Sequence, residues 1–102
     1  MYRGSDRVAE HDTLLHLEVA ADVLSLEPET VAIARDLYLA ELPVAERSKL
    51  ALLATSCYAA SLIAGTERSQ SAVAEAFDVS RIAIQQRWKT VLTNAGFKPP
   101  TW

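Results

Sequence analysis

The stretch KLALLATSCYAASLIAG, residues 49–65, restricts the fold more than any other part of this chain. Its side chains are small or apolar nearly all the way round, without the polar stripe of a surface helix. A helix that is apolar on every side must be covered on every side, and its alanines and serines let neighbours approach closely. Such a segment belongs in the middle of a bundle, so the rest of the chain must supply the helices around it. A third helix is expected over about Ala45 to Ala64, closed by Gly65 in the left-handed conformation that follows many helix ends. Cys57 and Tyr58 lie within it, which makes the cysteine a small buried hydrophobe rather than a nucleophile.

The remaining punctuation fits an all-α chain. Alanine and leucine are abundant, β-branched residues rarely alternate, and the glycines (Gly4, Gly65, Gly96) and prolines (Pro28, Pro43, Pro99, Pro100) fall at element ends. A first helix is expected from about Asp6 to Leu24, with Leu14, Leu15, Leu17, Val19 and Val23 forming a broad apolar face. Pro28 suits the opening turn of a second helix, where its missing N–H costs little. Pro43 closes that helix after Val31, Ala34, Leu37, Tyr38 and Leu42.

Several function classes are excluded on composition. A chain of 102 residues makes one domain that buries about 60 to 65% of the surface its unfolded form exposes. Its apolar runs are far shorter than the roughly 20 residues of a membrane span, and MYRGSDRVAE lacks the apolar core of a secretory signal. The expected location is the cytoplasm, away from membranes. The single cysteine allows no internal disulfide and no CxxC metal knuckle. His11 and His16 are set about 140° apart on a helix, so they do not share a face as metal ligands. With no Gly-rich phosphate loop and no catalytic constellation, the chain reads as a non-enzyme without metal or cofactor.

The net charge of −3 conceals a polarity. Residues 1–46 carry three arginines against ten carboxylates, a balance of −7, whereas residues 47–102 carry seven cations against three carboxylates, a balance of +4. Solubility alone accounts for an acidic half. A basic second half backed by it is what a nucleic-acid face would give.

Within that basic half, SQSAVAEAFDVSRIAIQQRWKTVLTNA, residues 69–95, reads as a helix-turn-helix. Ser69 can cap a short helix whose Val73, Ala74 and Phe77 pack inward, DVS makes the turn, and Ser80 can cap a longer helix. On a wheel of about 100° per residue, Ile84, Trp88, Val91 and Ala95 face the core with Leu92 beside them, and Ile82, Gln85, Gln86 and Lys89 gather elsewhere. Glutamine can pair in a bidentate way with adenine, Ile82 can press on a thymine methyl, and lysine can reach guanine or phosphate. Arg68, Arg81 and Arg87 stand at the margins, where cations hold phosphates and set register. Any surface helix also turns polar residues outward, and the turn lacks the glycine that many such motifs carry.

CYAASLIAGTERSQSAVAEAFDVSRIAIQQRWKTVL resembles a cyclin-like repeat of the transcription initiation factor B family, called factor IIB in eukaryotes, and is most similar to archaeal members. The matching features are Tyr58 and Ala59, Gly65, Arg68 with Ser69 and Gln70, Val73 and Ala74, then Val79, Ile82, Ile84, Arg87, Trp88 and Lys89. LSLEPETVAIARDLYLAEL resembles the family's first two helices, so the likeness extends over nearly the whole chain. It implies a single five-helix cyclin-like domain over residues 1–102, with the helix-turn-helix at 69–95 and a C-terminal tail at 96–102. It also implies a second helix of that motif set in the major groove upstream of a TATA box, beside the TATA-binding protein.

Ile82 matches the family's base-contacting valine. Gln85 stands where the family has a base-contacting arginine, a change that weakens guanine readout and favours adenine. Full-length members add a zinc ribbon and a second repeat, and this sequence has neither. The expected role is therefore a single-repeat transcription regulator on double-stranded promoter DNA, with the TATA-binding protein or other transcription factors as candidate partners. Two copies pairing would restore a second repeat. The alternative is a cyclin-box adaptor that docks proteins of the transcription machinery without touching DNA, using the acidic half and the tail FKPPTW. In that tail, Phe97 and Trp102 would otherwise fold back on the bundle.

Overall fold

The computed structural model describes residues 4–99, with side chains from Glu10 onward. Five α-helices make up the fold, and no strand occurs among the described residues: α1 (Gly4–Leu24), α2 (Pro28–Ala40), α3 (Lys49–Ile63), α4 (Gln70–Phe77) and α5 (Arg81–Asn94). The expected all-α class is what is observed. None of these helices is long and apolar enough to cross a membrane.

Helix α3 is the axis of the bundle. It touches each of the other four helices, most extensively α2 and α5, and ten successive residues from Leu52 to Ser61 are buried. That run covers every side of the helix, as its small apolar sequence demanded. The helix starts later than expected, because Glu46–Ser48 form a 3₁₀ turn before it. Helix α2 likewise stops at Ala40 rather than near Leu42. Leu42 precedes Pro43, whose ring disfavours helical geometry in the residue before it.

The face of α1 differs from expectation. Leu17, Ala20, Ala21 and Leu24 are buried, with Leu14 packed beside them. Leu15, Val19 and Val23 point away, 46%, 64% and 67% exposed. Two small alanines make the inner contacts, so the bulkier valines are left for the outside. Glu10 fastens the same helix to two others: it accepts a hydrogen bond from the Tyr38 hydroxyl and meets Lys49 Nζ at 2.7 Å. Burial, then the bond to Glu10, raises the Tyr38 pKa above its ordinary value. The bond to Glu10 also raises that of Lys49, against the opposing effect of burial.

Four of the five helices end in one hydrogen-bond pattern. After α3, Thr66 N donates to Ser61 O at 3.0 Å and Gly65 N to Leu62 O at 3.2 Å, with Gly65 at φ +76. This is a Schellman ending, which satisfies the last carbonyls by turning one residue left-handed. Gly96 does the same after α5. Ser25 after α1 and Asp78 after α4 hold positive φ values of 55 and 56 without being glycine.

Candidate nucleic-acid interface

Helix α4 has 8 residues and α5 has 14, and Asp78, Val79 and Ser80 join them. Each helix is capped by the serine before it: Ser69 Oγ accepts from Ala72 N at 3.0 Å, and Ser80 Oγ accepts from Ala83 N at 3.3 Å. The turn needs no glycine because Asp78 takes the left-handed position, at φ 56 and ψ 47. A short polar side chain tolerates that region better than a bulky one. Val79 N then donates to Ala74 O at 2.9 Å, and its side chain packs against the core.

Packing fixes the rotation of α5 about its own axis. Ile84, Trp88, Val91 and Leu92 are buried, and the Trp88 ring meets Tyr58 of α3 edge to face, centroids 5.5 Å apart at 87°. Such a pair adds about 0.5–1.5 kcal/mol beyond the area it buries. With that side locked, Ile82 is 59% exposed, and Gln85, Gln86 and Lys89 are exposed beside it. Ala95 was expected on the core side. It is exposed and caps the helix one residue past its end, since the chain has already begun the turn at Gly96.

Lys89 Nζ lies 5.5 Å from the centroid of the Trp88 ring, a distance at which a cation is attracted to the ring face. Thr90 and Thr93 are also exposed on α5, and Thr93 extends the stripe begun by Ile82, Gln86 and Lys89. Sequence reasoning passed over it, since a hydroxyl in a last turn carries no distinctive signal.

The flanking arginines divide. Arg81 is exposed at the first turn of α5. Arg87 is half-buried and lies about 200° around the helix from Gln85, so the two do not share a face. Arg68 reaches toward the end of α1. Its Nε donates to Leu24 O at 2.9 Å, its Nη2 to Ser25 O at 3.1 Å and its Nη1 to Thr66 O at 2.7 Å. The guanidinium is engaged with carbonyls at the end of α1 and before α4, where it ties the two segments together. Its own backbone N–H donates to Ser61 Oγ at 3.2 Å.

A groove of about 540 Å³ runs where α4 and α5 meet α3. Arg81, Gln85 and Lys89 of α5 line it together with Ser69, Gln70 and Ser71 around the start of α4, the Tyr58 and Trp88 rings and Glu67. Two cations and the N-terminus of a helix therefore open into one concavity, a combination that attracts anions. Glu67 opposes it. Burial raises the Tyr58 hydroxyl pKa, Gln70 hydrogen bonding lowers it, and Glu67 adds to the rise. Deeper in α3, burial pushes the Cys57 thiol up to about 12. No group of three or more His, Cys, Asp or Glu side chains suited to a metal converges among the described residues. No known protein family, curated protein or solved structure matches the chain.

Proposed function

We propose that this protein is a DNA-binding transcription regulator, similar to one core repeat of transcription initiation factor B, that grips double-stranded promoter DNA with α4 and α5. The observation that carries the reading is the rotation of α5: Ile82, Gln85, Gln86 and Lys89 are exposed together while the opposite side is locked into the core. A helix of 14 residues presented in this way has the width and chemistry of a major-groove reader. Gln85 and Gln86 would select adenine, Ile82 a thymine methyl, and Lys89 a guanine or phosphate. Arg81 and the serine-rich start of α4 would take phosphates, which hold the helix in register without reading sequence.

One such repeat offers few phosphate contacts, so recruitment beside the TATA-binding protein is part of the proposal. Fluorescence anisotropy of a labelled promoter duplex, with and without that protein, tests it. Saturable binding above a scrambled duplex, strengthened by the TATA-binding protein, is expected. Equal weak binding to both duplexes in both conditions would remove DNA as the specific ligand.

A further inference from the structure

Leu15, Val19 and Val23 stand four residues apart on α1, so each is offset from the last by only about 40° and they form one ridge about 12 Å long. The ridge lies opposite the side that packs into the bundle, and no described element covers it. The residues around it are exposed carboxylates: Asp12 within the line of the ridge, Glu18 and Asp22 along one flank. His16 borders the other flank, and His11 lies on the flank of Glu18 and Asp22, nearer the N-terminus of α1. Glu18 and Asp22 also line an adjoining groove of about 470 Å³ between α1 and α2, together with Ala21, Leu26, Val31 and Arg35.

We propose that this ridge is a docking surface for a basic amphipathic helix of a partner protein. An apolar line set among carboxylates is complementary to a helix with leucine-like anchors at helical spacing and lysines or arginines at their sides. The anchors would cover Leu15, Val19 and Val23, one of them would enter the α1–α2 groove, and the cations would meet Asp12, Glu18 and Asp22. Charge excludes the competing occupants. A two-fold axis that packs α1 antiparallel against a second copy keeps equivalent flanks together, so Glu18 and Asp22 would face Glu18 and Asp22. A parallel pair in register would oppose Asp12 to Asp12. Nucleic acid and anionic lipid are repelled by the same carboxylates. The site lies on a different helix from the proposed DNA face, so either can stand without the other.

The probe is a synthetic 18-residue helical peptide with leucines at four- and three-residue spacing and lysines flanking them, titrated into the full chain and followed by amide chemical shifts. A second peptide replaces each lysine by glutamate. The expected result is saturable binding of the basic peptide alone, with shifts concentrated on residues 11–35. Val19→Ser/Val23→Ser should weaken it about ten-fold or more, and Asp12→Asn/Glu18→Gln/Asp22→Asn should weaken it similarly and remove its salt dependence. All five positions are exposed, so circular dichroism of both variants should match the wild type. The charge variant still decides the matter if the valine variant misfolds. Absence of saturation at millimolar peptide, equal binding of the acidic peptide, or shifts confined to α4 and α5 would each overturn the proposal. A dimer in sedimentation that Val19→Ser/Val23→Ser abolishes, or co-sedimentation with phosphatidylserine vesicles, would overturn it in favour of self-association or a lipid surface.

Discussion

Arg68 Nε stands 2.9 Å from the carbonyl oxygen of Leu24, and so a side chain at the start of α4 holds the end of α1. A charged donor on a part-buried carbonyl contributes about 1.5–3 kcal/mol. Arg68→Ala should therefore lower the urea midpoint by an amount equivalent to about 2–3 kcal/mol. Arg68→Lys should recover less than half of that loss, because a single ammonium cannot span Leu24, Ser25 and Thr66 as the planar fork does. Measured well below its melting temperature, Arg68→Ala should leave DNA affinity within about two-fold of wild type, whereas a phosphate ligand would lose more.

Asp78 holds φ 56 where two other helix ends use glycine. Left-handed geometry costs an ordinary residue about 1–2 kcal/mol, and glycine's freer unfolded chain offsets part of the relief. Asp78→Gly should thus stabilise the fold by about 0.5–1 kcal/mol in thermal unfolding. The reverse control is Gly65→Ala: an added Cβ there meets nothing within 4 Å, so a loss of about 1 kcal/mol would be conformational alone.

These two positions also show where the sequence was readable. Ser69 and Ser80 as caps, Gly65 as a stop, the all-round apolar α3 and the inward set Ile84, Trp88, Val91 and Leu92 follow from local rules about hydrogen bonding and periodicity. Arg68 does not, because two of its acceptors, on Leu24 and Ser25, lie 44 and 43 residues away and nothing local marks them. Asp78 was overlooked since glycine was sought in the turn and a tolerated substitute was not. In α1 the apolar residues occupy two opposed faces, and periodicity alone does not say that the alanines pack inward while Val19 and Val23 stay outside. Which face of α5 is free was legible. What that face binds is a matter of chemistry that neither periodicity nor packing fixes.

Alkaline pH should weaken the fold. Cys57, Tyr38 and Lys49 all hold their protons more tightly in the folded chain than at their ordinary values of 9.0, 10.0 and 10.5. Below about pH 8 both states keep these protons and the contribution is constant. As pH rises through the ordinary values, the unfolded chain releases protons that the folded chain retains, so unfolding is favoured and stability declines. Urea midpoints measured from pH 7 to 11 should be level and then fall. Cys57→Ala should shallow the first part of the fall. Thiol labelling of Cys57 at pH 8 should proceed only at the rate at which α3 is exposed by unfolding.

Glu67 lines the same groove as Arg81, Gln85 and Lys89. If a DNA phosphate enters there, the carboxylate repels it. Glu67→Gln should tighten promoter binding about two- to five-fold at low salt, with the gain shrinking as salt screens the pair. Unchanged affinity across the salt series would move the phosphate path away from this groove.

The most direct measurement compares wild type with Gln85→Ala/Lys89→Ala in promoter-duplex anisotropy across 50 to 200 mM salt. With Arg68 engaged elsewhere and Arg87 turned off the face of Gln85, Arg81, Lys89 and Lys98 remain for phosphates. The wild-type log–log slope should then be about −2.7, a loss of about forty-fold over that range. The double variant should bind at least ten-fold more weakly, lose its preference over a scrambled duplex and show a slope shallower by about one. Equal affinity, preference and slope in the two proteins would contradict the assignment of the outer face of α5 to DNA.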